Sequence, residues 1–292
     1  MPLLAQSVAG RYADAAGWHT MLSYQFQQGA RMTPILFHRR HASVATALLL
    51  AACALAIPAA PALASPLDWI SGNSIQGSGK LQKQTRDVGS FHAVALNVPG
   101  TVELRIGNTD SVTIEADDNI LPLIDTAVEN GTLRIRPAKR NANFRQSSLT
   151  IVIQARQVER VSVGGSGNIT ATGLRAENLR FDVGGSGSIH ARDLDSRQVS
   201  IAIGGSGSFK ASGKTEQLTA SIGGSGNIEA GRLAAREVQV SIGGSGEATV
   251  WAKQDLAISI GGSGEVSYYG DPRISRSMQR SSSIRRLGSA PN

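Results

Sequence analysis

The sequence predicts an all-β protein built as a parallel β-solenoid, on three observations. Gly-Gly-Ser-Gly recurs at Gly164, Gly184, Gly204, Gly223, Gly243 and Gly261, in steps of 20, 20, 19, 20 and 18 residues. Apolar and polar residues alternate before and after every copy, the period of strands rather than helices. The 292 residues include 33 Gly but only 4% aromatics, a composition suited to a core of small and β-branched side chains.

The first element is a leader, residues 1–64. Arg39 and Arg40 precede an apolar run from Ala42 to Ile57, and Ala62-Leu63-Ala64 follows as a small-x-small cleavage site. This is the pattern of a secretory signal peptide, with Ser65 as the mature N-terminus and Met32 as an alternative start. Leu50-Ala51-Ala52-Cys53 resembles a bacterial lipobox, so lipidation of Cys53 is the second outcome, and only then is a membrane anchor expected. Cys53 is the single cysteine, which excludes an intrachain disulfide and any Cys-based metal site.

The net charge of +7 suggests nucleic acid, but its position argues otherwise. Residues 65–270 hold 20 basic and 20 acidic residues; the excess lies in the leader and in the tail after residue 270. A nucleic-acid binder carries its basic patch on the folded surface, so no nucleic-acid partner is expected.

Residues 65–76 are expected as a linker and 77–288 as one domain. Its irregular half, 77–157, shows no 20-residue period. Strand-like runs there are Phe91–Asn97, Thr101–Ile106, Ser111–Ala116, Thr132–Arg136 and Leu149–Gln154. Asn130-Gly131 marks a hairpin turn, and Asp117 or Asp118 is a candidate cap for a short helix over Asn119–Ile124.

The coils follow at 158–270. One coil cannot bury its own apolar face, but stacked coils bury a continuous interior. The column before each corner reads Val163, Val183, Ile203, Ile222, Ile242, Ile260. The corner glycines are expected to supply backbone angles open to Gly alone and to allow backbones to approach, with the serine bonding along the axis. After Gly270-Asp271-Pro272, residues 271–288 read either as a degenerate last coil, with Gln279–Ser282 in the corner slot and Arg280 repelling further strands, or as a basic tail; 289–292 are expected to be disordered.

The corners do not carry the signatures of ligand loops. Calcium nonapeptides place Asp two residues after the last corner glycine; here the slot holds Ile169, Ile189, Phe209, Ile228, Ala248 and Val266. Gly213-Lys214-Thr215 ends like a phosphate-binding loop, but the required first glycine is Ser208, and Thr170 breaks a dinucleotide fingerprint. No metal and no cofactor is expected.

The ordered motifs Gly77-Ser78-Gly79, Thr85-Arg86-Asp87-Val88 with Phe91, Val102-Glu103-Leu104, Val112 to Pro122 and Glu129 to Leu133, followed by the corners, resemble the DUF2807 family of head GIN domains, described as auto-transporter adhesin heads. The resemblance spans roughly residues 77–288. It implies an exported bacterial protein with a right-handed parallel β-helix, and carries no catalytic residues.

For an enzyme, paired carboxylates are the candidates: Asp117 with Asp118, Asp193 with Asp195 in a loop, and Glu247 with Glu265 one coil apart. Capping and solvated surface explain them more simply, and His92 and His190 lack partners for nucleophilic catalysis. The reading is therefore a non-enzymatic, adhesin-like binding module of the periplasm, outer-membrane surface or exterior, whose partner is a protein or polysaccharide of the envelope. A structural or signalling envelope protein and a polysaccharide-active enzyme are the alternatives. One outward face pairs Asn168 with Thr170, Ser188 with His190, Ser208 with Lys210, Asn227 with Glu229, Glu247 with Thr249, and Glu265 with Ser267; it is polar and lacks an aromatic stripe.

Overall fold

A computed structural model describes residues 74–139, 143–145, 148–278 and 282–291 of the protein. Met32, Cys53, Ala62, Ala64 and Ser65 lie outside the described residues, as do Gln279, Arg280 and Ser281 of the last corner. Among the described residues the chain forms nineteen strands and one single-turn 3-10 helix at Leu121–Leu123.

The N-terminal half contains β1 (Ser74–Gln76), β2 (Leu81–Arg86), β3 (Ala93–Leu96), β4 (Thr101–Ile106), β5 (Ser111–Asp117), β6 (Ile124–Glu129), β7 (Thr132–Pro137), β8 (Asn143–Arg145) and β9 (Thr150–Ala155). The coils contain β10 (Arg160–Val163), β11 (Asn168–Thr172), β12 (Arg175–Val183), β13 (Ser188–Ile203), β14 (Ser208–Ile222), β15 (Asn227–Ile242), β16 (Glu247–Ile260) and β17 (Glu265–Tyr269); β18 (Arg273–Met278) and β19 (Ser283–Gly288) follow.

The protein is a parallel β-solenoid. Every strand pairing from β10 onward is parallel and joins like positions of successive coils, such as Ile189 with Phe209 and Phe209 with Ile228. Alternation decides facing: Ile201 is buried and Ala202 is not. The buried residues form one apolar cluster from Phe91 to Tyr268. Where β13 and β14 bend, an inward hydroxyl reaches two corner carbonyls. Ser196 Oγ lies 3.1 Å from Glu177 O and 2.8 Å from Gln198 O; Thr215 Oγ1 lies 3.1 Å from Arg197 O and 3.2 Å from Gln217 O. The bends thus keep their buried polar groups bonded.

A solenoid coil also exists where no period was legible. β3 and β4 stack directly on β10 and β11, Val94 beside Val161 and Val102 beside Ile169. Their corner is Asn97-Val98-Pro99-Gly100, and Gly164 N donates to Leu96 O at 2.9 Å. The layer beyond comes later in the chain: β7 pairs with β3 and β9 with β4. Both ladders then turn antiparallel, β7 with β6, β9 with β5, and β5 in turn with β2. This closes the N-terminal end of the stack. The β6–β7 hairpin turns at Asn130 and Gly131, with φ of 51° and 71°, as a two-residue turn of this hand requires.

At the other end, β18 lies on β16 and β19 on β17, with Ile274 beside Leu256 and Ile284 beside Val266. β18 and β19 therefore add one more parallel layer.

Candidate functional site

Of the two reasons the sequence suggests for glycine at the corners, the close approach of stacked backbones holds and the special backbone angle does not. None of their glycines has a left-handed φ. Sterics act instead, and unevenly. A Cβ on the second glycine, as at Gly185, Gly205, Gly224, Gly244 or Gly262, would come within 3 Å of the carbonyl oxygen of its counterpart one coil earlier. The fourth glycine is equally confined: at Gly187 a Cβ would lie 2.7 Å from Val163 Cγ1. The first glycines, Gly184, Gly204, Gly223, Gly243 and Gly261, meet nothing closer than 3.9 Å, and Gly164 would meet only the Asn97 side chain. The corner serines are exposed, and bonding along the axis is by main chain, as from Ser206 N to Gly185 O at 3.2 Å.

The carboxylate pairs separate into three fates. Asp117 and Asp118 cap no helix, because the segment forms only the 3-10 turn with no side-chain cap. Instead Gly77-Ser78-Gly79 folds over them. Gly79 N donates to Asp117 Oδ1 at 2.8 Å, Ser78 Oγ bonds Asp118 Oδ1, Ser78 N donates to Asn119 Oδ1 at 3.0 Å, and Asn119 Nδ2 donates to Gln76 O at 2.8 Å. The two motifs are halves of one clasp holding the N-terminal strand. Arg86 completes it by donating to Ile124 O and Leu121 O at 2.6 and 2.9 Å; its partial burial holds the guanidinium below its ordinary pKa, opposed by Asp125.

Asp193 and Asp195 lie not in a loop but within β13, where the register shifts between Ala191 and Leu194 and Asp193 takes φ 55°. A bulge re-aims side chains in this way, and Asp195 pairs with Lys214 at 3.2 Å. Glu247 and Glu265 are in-register neighbours, and Arg285 reaches Glu265 at 3.5 Å.

The polar face is a true ladder. Asn168, Ser188, Ser208, Asn227, Glu247 and Glu265 succeed one another coil by coil, and so do Thr170, His190, Lys210, Glu229, Thr249 and Ser267, though Ser267, expected to face outward, is buried. Lys210 bridges to Glu229 at 2.9 Å. Desolvation is the main cause that holds His190 below its ordinary pKa, with repulsion from Arg192 and Lys210 adding to it. The face does carry aromatics at one end: Trp251 and Tyr269 are in register. Lys253 Nζ lies 5.5 Å from the Trp251 ring centre, and the Tyr269 ring lies against buried Gly231.

A second ladder, not anticipated from sequence, lines a groove of about 720 Å³. One wall carries Gln198, Gln217, Glu237, Asp255 and Arg273, each the in-register neighbour of the last. The other carries Thr219, Gln239, Ala257 and Ser275. Gln217 Nε2 donates to Glu237 at 3.3 Å, Arg236 pairs with Glu237 at 2.8 Å and Arg273 with Asp255 at 2.9 Å. The signal for it was positional: each wall residue stands six places before a corner, as Gln198 does before Gly204. Among the described residues no group of three or more His, Cys, Asp or Glu is placed to hold a metal.

The chain is thus a parallel β-solenoid with polar ladders outside and one apolar core inside. The chain belongs to the DUF2807 family, described as "Putative auto-transporter adhesin, head GIN domain", whose model matches residues 90–272. A solved structure described as a "putative adhesin" from Bacteroides fragilis matches with a TM-score of 0.70 at 26% identity, over 73% of this chain and 100% of that one. A "putative lipid binding protein" from Parabacteroides distasonis matches with 0.63 at 25%, over 73% and 99%. A "putative adhesin" from Parabacteroides merdae, at 18% identity and TM-score 0.60 over 73% and 99%, shows the shared fold. No curated protein matches the chain.

Proposed function

We propose that the protein is an exported, non-enzymatic binding module of the bacterial cell envelope. The observation that carries the reading is the pair of outward ladders, each repeating one hydrogen-bonding position per coil on a rigid frame. Such a frame loses little conformational entropy when a long partner lies along it. Membership of an adhesin-like family supports the same reading. The leader supports export, by cleavage before Ser65 or by lipidation of Cys53. The test incubates protein purified from its native host with intact cells and envelope fractions of that host. Saturable retention is expected; no saturable retention on any fraction would overturn the reading. Intact mass of the same preparation reads the processing: a chain starting at Ser65, or a diacylated one starting at Cys53. Full-length cytoplasmic protein would defeat export.

A further inference from the structure

The groove beside Gln198, Gln217, Glu237, Asp255 and Arg273 is a different surface from the polar face on which the sequence reading rested, and its chemistry narrows what it can hold. It runs along the axis, with one wall residue per coil at the strand spacing of about 4.8 Å, so its five rungs span roughly 19 Å. The rungs are side chains that both donate and accept, or charged groups that make strong directional bonds. Their charges balance: Glu237 faces Arg236 and Asp255 faces Arg273. No cation excess is present to draw a phosphate or nucleic-acid backbone. Main-chain groups along the groove are engaged in the parallel ladder between coils, so no open edge is offered to a peptide strand. Leu218, Val238 and Leu256 lie beneath it but point into the core, at 1–3% exposure; Ile274 at the last rung, 42% exposed, is the one large apolar side chain of the lining that is open to solvent, so the groove gives a lipid tail only one end to bury against.

A ligand that suits these walls is long, uncharged and dense in hydroxyl groups, with a repeat close to the pitch of the coils. We propose that the groove binds a neutral, extended polysaccharide chain along the solenoid axis, successive sugars meeting successive rungs. This rests on the reading of the protein as an envelope binding module and names its ligand class. Glu237 and Asp255 are neighbours, but each is matched to an arginine, an arrangement for holding hydroxyls by charged hydrogen bonds rather than for protonating a leaving oxygen.

The test is affinity electrophoresis of the host-purified protein in gels containing hydroxyethylcellulose, galactomannan or mixed-linkage β-glucan, with polygalacturonate as the anionic counterpart. Retardation by at least one neutral glycan is expected, with Gln217→Ala weakening it about threefold to fivefold, the loss of a neutral hydrogen bond, and Glu237→Ala about tenfold or more, the loss of one involving a charged group. Glu247→Ala, on the other face, should leave it unchanged. All three side chains are on the surface, so equal melting temperatures check that the variants fold. Retardation by none of the neutral glycans, or by polygalacturonate alone, overturns the proposal, as does equal weakening by Glu247→Ala. Release of reducing ends from a bound glycan overturns it in favour of hydrolysis. If the protein still binds envelope fractions saturably while no neutral glycan retards it, the glycan proposal falls and the binding-module reading stands; loss of both defeats both.

Discussion

A Cβ on Gly205 would lie inside 3 Å of the Gly185 carbonyl oxygen, while one on its neighbour Gly204 would meet nothing within 4 Å. The corner therefore needs glycine where coils touch, not where the chain turns. Gly205→Ala should force the stacked backbones apart, an overpacking cost of about 1–3 kcal/mol or more. At roughly 2–4 °C per kcal/mol for a domain of this size, melting should fall by several degrees. Gly204→Ala should move it by less than about 2 °C. Thermal denaturation of the two variants decides, and equal losses would mean that the turn itself demands glycine.

The register makes an equally sharp contrast at Ile201 and Ala202. Ile201 is 2% exposed inside the column, whereas Ala202 faces outward. Ile201→Asp buries an unpaired carboxylate and should cost about 4 kcal/mol or more, among the largest single-site effects. Ala202→Asp should be nearly silent. Circular-dichroism melts that placed the two variants together would contradict the facing.

These contrasts also mark what the sequence could reveal. Alternation around each Gly-Gly-Ser-Gly made the coils from β10 onward legible, because inward residues such as Ile189, Phe209 and Ile228 are apolar in every copy. The coil at Ala93–Ile106 was hidden because Asn97-Val98-Pro99-Gly100 does the corner's work without its signature. Its outer neighbours β7 and β9 follow it in the chain, an order set by long-range pairing that no local pattern encodes. The groove escaped for another reason. Its rungs are Gln, Gln, Glu, Asp and Arg, constant in offset but not in type, and only register brings them together.

The slots where a calcium-binding repeat would place Asp are inside the core. Ile169, Ile189 and Phe209 are each 1% exposed, Ile228 and Val266 0%. A cation bound only by the native state would raise stability with its concentration. Melting is therefore expected to be the same in excess chelator and in millimolar calcium. A rise of several degrees on adding calcium would reveal a site elsewhere.

His190 should make stability depend on mild acid. Its folded-state pKa lies below the ordinary 6.5, first because burial penalises the imidazolium and then because Arg192 and Lys210 repel it; Glu229 opposes them. The unfolded chain thus takes up the proton more readily than the folded one. The stability is complete above the unfolded value and is lost as pH falls through it toward the folded pKa. Melting temperature should drop between pH 7.5 and pH 5, and His190→Gln should flatten that drop. Asp110 does not confound the window: Arg156 holds its carboxyl below 3.8, so its contribution fades only at lower pH. An unchanged drop in the variant would assign the acid sensitivity to other groups.

The last layer is predicted to act as a cap. β18 covers the edge of β16, with Ile274 against Leu256, and Arg273 bridges to Asp255 at 2.9 Å. β19 covers β17 in the same way, and Arg286 Nε donates to Gly270 O at 2.8 Å. The layer itself carries Arg273, Arg276, Arg285 and Arg286 on its exposed strands. Charge of one sign on an open edge opposes pairing with another copy. Ending the chain after Gly270 would remove those arginines and expose the edges of β16 and β17, whose outward positions are mostly neutral or acidic. The truncated protein should melt several degrees lower and associate end to end, which light scattering against concentration would read. Restoring the layer with all four arginines changed to Gln separates the two roles. That variant should regain most of the melting temperature, since its strand pairing returns while only the surface contacts of Arg273, Arg285 and Arg286 are lost, yet still associate more than the natural chain. A truncated protein that stays monomeric with unchanged melting would show that residues 271–292 cap nothing.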